Sequence, residues 1–352
     1  MKKLVGVIVG CGAIAREHLA VLSNFKDVDV GAVCDISPVR AEATAERFGI
    51  KKWYTDHKEL ISDLRPDLVH ITTPPSSHVP ITKDCLAEGL NVLCEKPITI
   101  EYSDFEALRD LASEKKLILM ENQQNKFHSC VLKILDLVNS GQLGDILEVQ
   151  ILNSINLVGD GSPYNDANVS HFSSSLPGGP IGDFLPHIAY LAYMFTGEVL
   201  EVRTIWEKRV GNTSLRADEF RGLIKGARAS AYVSFNGTAK VEGFWLRVVG
   251  TKMRVETNLY EPPRFTVRRF RSGEPSLMTL LDGIAESRDG ARGSVTGFIR
   301  KLAGRSSYDG LEELLSRTYR AIELNQPQPI SLKEINDTCL LKHRLSRLES
   351  SL

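Results

Sequence analysis

The chain is predicted to be an α/β protein in two parts: a doubly wound parallel sheet, then an α+β domain built on an antiparallel or mixed sheet. Three observations carry the prediction. Over residues 1–122 short apolar runs alternate with longer amphipathic ones, the rhythm of βαβ units. Beyond about residue 125 strand-like segments follow one another with turn residues between them. The 352 residues also exceed what one hydrophobic core supports, so the boundary is drawn where the rhythm changes, giving domains 1–122 and 123–352.

In the first part, residues 4–10, 30–35, 68–73, 91–95 and 117–121 are nearly continuous apolar runs, as strands buried on both faces are. Helices lie between them. One starts at Ser37-Pro38, an N-cap residue followed by a proline at the first helical position, and stops near Gly49. Another spans 77–88 and ends at Gly89 in the same manner. In the second part, 127–140 reads as a helix closed by Gly141, and 146–158 alternates and is rich in β-branched residues. A Gly/Pro cluster at 177–180 precedes a helix over 181–195. Strands are expected at 201–208, 229–236, 240–249 and 265–271, and two closing helices at 308–324 and 332–348. The polar, glycine-bearing stretch 273–308 is assigned no element.

Composition narrows the function. With 42% hydrophobic and 25% charged residues the chain is neither disordered nor fibrous. Its net charge of −1 supplies no field for nucleic acid or an anionic membrane, and neither is expected as a partner. The stripe Arg264, Arg268, Arg269 and Arg271 reads as a solvated strand face. The six cysteines contain no C-x-x-C pair, which argues against zinc and disulfides, so no metal is expected and a reducing cytoplasm fits. The start imitates a lipoprotein signal up to Cys11, but its apolar run is too short and Arg16, Glu17 and His18 follow at once. No run reaches the roughly 18 apolar residues of a membrane span.

Gly10-Cys11-Gly12-Ala13-Ile14-Ala15 has the G-x-G-x-x-A form between the first strand and a helix. Gly10 permits the tight turn, Gly12 lets the backbone approach a pyrophosphate, and Ala13 and Ile14 open the helix whose amides face the phosphates. Asp35 ends the second strand, about 20 residues past Ala15, where an acid accepts hydrogen bonds from the adenosine ribose and repels a 2′-phosphate. This is a Rossmann signature, and it favours NAD; Ser37 and Arg40 lie near enough to weaken the preference over NADP.

Hydride transfer calls for a base and a group that stabilises a developing alkoxide. Lys96, in Glu95-Lys96-Pro97 after the fourth of these strands, falls at the carboxyl edge of the sheet, where open α/β folds bind ligands. Asp183 and His187 stand four residues apart on one helix face. Taken alone, the lysine reads as a surface charge and the pair as a helix-surface arrangement.

Together these motifs resemble the glucose–fructose oxidoreductase, inositol dehydrogenase and rhizopine-catabolism family, Gfo/Idh/MocA. The resemblance rests on the glycine turn with His18 after it, Thr73-Pro74-Pro75 with His78, Glu95-Lys96-Pro97, Lys126-Phe127-His128, and Gly178-Gly179 leading to Asp183 and His187. It covers nearly the whole chain and is vaguest over 260–310. It implies a Rossmann domain followed by a domain with a large, mostly antiparallel sheet, often in homodimers or homotetramers. It further implies that Lys96 holds the substrate hydroxyl, that His187 exchanges its proton, that Asp183 orients substrate and tunes His187, and that Thr73, Pro74, His78, Glu95 and Gln124 line the cofactor.

Three departures qualify the substrate. Lys126 replaces the usual arginine, Leu185 and Pro186 stand where Gly and a variable residue are common, and Tyr190 stands where many sugar dehydrogenases have an acid. Tyr164, His171 and Tyr190 are candidate substrate contacts in its place, although packing is the commoner role of such side chains. The expected activity is an NAD(P)-dependent dehydrogenase or reductase acting on a sugar-like molecule. A non-catalytic NAD(P)-binding regulator and an NAD-dependent glycosidase are the alternatives. Retention of Lys96, Asp183 and His187 counts against the regulator.

Overall fold

The computed structural model describes residues 3–159, 161–164, 171–211, 213, 215–260, 264–269, 283, 284, 288 and 308–347. The chain divides into two compact units, Met1–Gln124 with Tyr308–Leu340, and Asn125–Ser307 with Leu341–Leu352.

The first unit runs β1 Leu4–Val9, α1 Ala13–Leu22, β2 Val28–Cys34, α2 Pro38–Phe48, β3 Trp53–Tyr54, α3 His57–Leu64, β4 Leu68–Ile71, α4 His78–Ala87, β5 Asn91–Cys94, α5 Tyr102–Lys115 and β6 Leu119–Glu121. Its sheet has the order β3-β2-β1-β4-β5-β6 with every pair parallel. Right-handed crossovers put helices on both faces of such a sheet, so its strands need no polar face. Val7, Ile8, Leu68, Val69, Ile71, Val92 and Leu93 are fully buried, each stabilising the fold by about 1.5–3 kcal/mol. The strand order reverses between β1 and β4, the switch point where doubly wound sheets open a ligand crevice.

Helix α2 carries the signals read from sequence: the Ser37 side chain accepts the Arg40 N–H, Pro38 takes the first position, and Gly49 closes it in the left-handed conformation. The short β3 and α3 escape the sequence reading, although Asp56 caps α3 by accepting the Lys58 N–H and Glu59 follows three residues on.

The second unit runs α6 Ser129–Asn139, β7 Ile146–Ser154, α7 Pro180–Thr196, β8 Val199–Glu207, β9 Glu219–Gly226, β10 Ser230–Asn236, β11 Gly243–Gly250, β12 Met253–Asn258 and β13 Arg264–Arg269. The strands form one seven-stranded sheet in the order β13-β12-β11-β7-β10-β9-β8. Only β7 and β10 pair in parallel; the other five pairs are antiparallel. Helix α7 is apolar on most sides and buries Ile181, Leu185, Ile188, Leu191 and Phe195 in a core shared with Val149, Ile151, Phe220, Val233 and Phe235 of the sheet. Gly182 is required in its first turn, because a Cβ there would lie 2.1 Å from the Pro177 carbonyl oxygen.

The closing helices are α8 Leu311–Glu323 and α9 Leu332–Leu345. The sequence reading places both in the second domain, whereas α8 falls in the first unit and the division runs through α9. The cause is the buried face of α8, which carries Leu311, Leu314, Leu315 and Tyr319, with the Tyr319 hydroxyl 2.8 Å from His70 Nε2 of β4. Arg271 and, apart from 283, 284, 288 and 308, the unassigned stretch 273–308 lie outside the described residues. Among the described residues no helix is long and apolar enough to cross a membrane.

Candidate active site

In the first unit the glycine turn leaves β1 in a geometry that only glycine tolerates. Gly10 has φ +101°, and a Cβ on it would meet the Thr73 backbone nitrogen at 2.7 Å. Gly12 starts α1 without a side-chain cap, and nothing lies within 4 Å of where its Cβ would be. The first amides of α1, with Ala13 and Ile14 in its opening turn, receive no side-chain cap from Gly12. Asp35 is buried and holds the turn from below: Cys11 N–H donates to Oδ2 at 2.9 Å and Ser37 N–H to Oδ1 at 2.9 Å. The Arg40 guanidinium, 59% exposed, lies 3.3 Å from Asp35 Oδ1, so the lip of the cradle carries an acid and a base together.

Across the switch point, the Thr72 hydroxyl donates to the Gly10 carbonyl at 2.6 Å, and Thr73 follows with a buried Oγ1 that has no hydrogen-bond partner among the described residues. Pro74 leads into a 3-10 turn whose Ser77 amide donates back to its carbonyl at 3.0 Å. His78 is buried with Nδ1 and Nε2 each 2.8 Å from a carbonyl, those of Pro97 and Thr73, and so ties the loops after β4 and β5 together. Burial holds its pKa below the ordinary histidine value against the pull of those two carbonyls.

Glu95 ends β5. Its Oε1 receives Asn122 Nδ2 at 2.5 Å and lies 3.0 Å from His18 Nε2, while the Lys96 amide donates to Oε2 at 3.2 Å. Burial works against its charge, but the hydrogen bonds from His18 and Asn122 and the positive charge of Lys96 hold it below the usual carboxylate range. Gln124 brings a second buried oxygen, Oε1, without a partner among the described residues. A helix start without a side-chain cap, a glycine with vacant space at its Cβ position, and the orphaned oxygens of Thr73 and Gln124 fit a dinucleotide laid across the switch point.

In the second unit α7 presents Asp183, which is buried, and His187 one turn later. His187 Nδ1 lies 2.6 Å from the Tyr190 hydroxyl and 3.4 Å from Asn125 Nδ2. Tyr190 is fully buried. His171 caps a short 3-10 turn, its Nδ1 accepting the Ser173 N–H at 3.3 Å and facing the Ser173 hydroxyl at 2.6 Å, and Tyr164 packs against its ring at 4.8 Å.

Sequence reasoning missed the group beside His187. The Phe244 ring stands 6.3 Å from the His187 ring and 5.7 Å from that of Tyr260, whose hydroxyl donates to Asn153 Oδ1 at 3.4 Å. Burial pushes the Tyr260 pKa well above its ordinary value, and the negative charge of Asp183 acts in the same sense. Asn153 is fully buried, and its Nδ2 has no partner among the described residues. A signal was available: Asn153 interrupts the inward row Val149, Ile151 of β7 with a polar residue.

Comparison with known proteins places this geometry. Residues 5–123 match the family profile described as an oxidoreductase family with an NAD-binding Rossmann fold, and residues 131–256 match the Gfo/Idh/MocA C-terminal domain. A dTDP-3,4-didehydro-2,6-dideoxy-alpha-D-glucose 3-reductase from Streptomyces violaceoruber is 31% identical over 63% of this chain and 60% of its own length. An inositol 2-dehydrogenase from Salmonella typhimurium is 30% identical over 40% of this chain and 43% of its own. The chain thus spans less than two thirds of these curated relatives. The WlbA dehydrogenase from Bordetella pertussis, crystallised with NADH and UDP-GlcNAcA, superposes with a TM-score of 0.78 over 98% of this chain and 96% of its own at 15% identity, which shows the shared fold. The chain belongs to the Gfo/Idh/MocA oxidoreductase family and carries that family's NAD-binding Rossmann domain at its N-terminal end.

Proposed function

We propose that the protein is an NAD-dependent dehydrogenase or reductase acting on a hydroxyl or keto carbon of a carbohydrate, cyclitol or related polar molecule, working in the cytoplasm as a homodimer or homotetramer. The observation that carries this reading is the Asp35-braced glycine cradle with the orphaned oxygens of Thr73 and Gln124 beside it. The sugar and cyclitol names of the relatives support the substrate class.

A bound nicotinamide supplies the hydride acceptor or donor. The task left to the chain is to hold the substrate oxygen and move its proton. Lys96 holds that oxygen and stabilises the negative charge developing on it. His187 exchanges the proton through Nε2, because Nδ1 is engaged by Tyr190. Asp183, one turn earlier, orients the substrate and tunes His187. The Arg40 cation beside Asp35 offsets part of the repulsion of a 2′-phosphate, so NADP is disfavoured less strongly than a lone acid would make it.

The test is a Lys96→Met variant assayed over a panel of sugars and cyclitols with NAD. NADH affinity is expected to stay within about twofold while turnover falls by about a hundredfold to ten-thousandfold, the range of positioned acid–base groups. Survival of turnover would remove Lys96 from its assigned role.

A further inference from the structure

His18 follows the glycine turn, yet the chemistry above gives it no task. It begins a buried line of hydrogen bonds. His18 Nε2 lies 3.0 Å from Glu95 Oε1, His18 Nδ1 lies 3.1 Å from His70 Nδ1, and His70 Nε2 lies 2.8 Å from the Tyr319 hydroxyl. Both histidines are fully buried and Tyr319 nearly so. The line joins α1, β4 and α8, which come from widely separated parts of the sequence. It also depends on Gly6, because a Cβ there would lie 2.0 Å from the Tyr319 hydroxyl oxygen.

Proton counting orients the line. Two Nδ1 atoms 3.1 Å apart share one proton, so one ring donates and the other accepts. The Tyr319 hydroxyl has His70 as its hydrogen-bond partner, and a buried hydroxyl keeps its proton paired, so Tyr319 donates to His70 Nε2. His70 then carries its proton on Nδ1 and donates to His18 Nδ1, and His18 carries its proton on Nε2 and donates to Glu95. The direction of proton donation is fixed from one end to the other.

We infer that His18, His70 and Tyr319 are positioning residues that hold Glu95 ionised and oriented from within the sheet, so that a tyrosine on α8 governs the carboxylate next to Lys96. The inference rests on the proposed role of the Glu95-Lys96 segment. Burial lowers the pKa of His70 well below its ordinary value, which keeps that ring neutral as the line requires. Glu95 is faced by His18 from α1, His78 from α4, Asn122 after β6, and its chain neighbours Cys94 at the end of β5 and Lys96. Tyr319 is faced by the Asp67 carboxylate, whose charge, after burial, also discourages loss of the hydroxyl proton.

The experiment is nuclear magnetic resonance on the full-length protein, with 15N-labelled imidazoles for tautomers and 13C-labelled glutamate carboxyls for titration of Glu95. The wild type is expected to show His18 protonated at Nε2 and His70 at Nδ1. His18→Leu removes the donor and is expected to raise the Glu95 midpoint by about one to two pH units, the equivalent of one hydrogen bond to a charged group. His18→Gln keeps an N–H at the same reach and is expected to restore most of the shift. Tyr319→Phe, which changes only one oxygen, is expected to move the midpoint the same way by less. An unchanged Glu95 midpoint in His18→Leu and Tyr319→Phe, or the opposite tautomers in the wild type, would overturn the inference. Shifted midpoints in a protein without dehydrogenase activity would leave it standing and count against the proposed function instead.

Discussion

Tyr190 illustrates how burial changes the role of a residue type. Its ring reads in the sequence as a replacement for a substrate-binding acid, yet it is fully buried with its hydroxyl 2.6 Å from His187 Nδ1. In the proposed mechanism a group in that place orients the histidine. Tyr190→Phe is expected to lower kcat about fivefold to tenfold, the worth of one hydrogen bond, with KM for the sugar-like substrate nearly unchanged. A raised KM with unchanged kcat would instead make Tyr190 a substrate contact. The glycine turn and Asp35 were legible in the sequence because a phosphate-binding turn is a property of consecutive backbone positions. Asn153 and Tyr260 were not, because 107 residues separate two side chains that the sheet brings within 3.4 Å.

Among the elements, long runs with caps were the legible ones. Helix α2 shows its Ser-Pro start and Gly stop in plain sequence. Strand β12 was passed over although Met253, Val255 and Thr257 alternate inward with Arg254 and Glu256 between them. The fate of α8 was hidden for another reason: its apolar stripe says that one face is buried but not against which sheet. Helix α7 carries a tight local requirement at Gly182, where a Cβ would meet backbone. Gly182→Ala is expected to destabilise the protein by about 1–3 kcal/mol, because the Pro177 carbonyl cannot yield to a methyl group without moving the helix start. A urea midpoint within error of wild type would show that the first turn of α7 has slack that the packing does not reveal.

For the molecule as a whole, buried histidines link stability to pH. His70 and His78 have folded-state pKa values below the ordinary one, so at low pH the unfolded chain binds protons that the folded chain refuses. Stability is therefore expected to fall as pH drops below about 6.5, by about 1.4 kcal/mol per pH unit for each such histidine. Glu95, depressed in the fold, adds a contribution that is full above the ordinary carboxylate range and is lost on further acidification. Urea unfolding at pH 7.5 and 5.5 checks this; equal free energies at the two values would mean that these rings are charged in the folded protein.

The central claim, that this chain binds a nicotinamide dinucleotide in the cradle braced by Asp35, is tested most directly by titrating the purified protein with NADH and with NADPH and following nicotinamide fluorescence. Saturable NADH binding is expected, tighter than NADPH by about tenfold or more, since a 2′-phosphate would meet the Asp35 carboxylate. Arg40→Ala is expected to widen that gap by weakening NADPH. Binding of neither nucleotide, in folded protein shown to be free of retained cofactor, would contradict the claim.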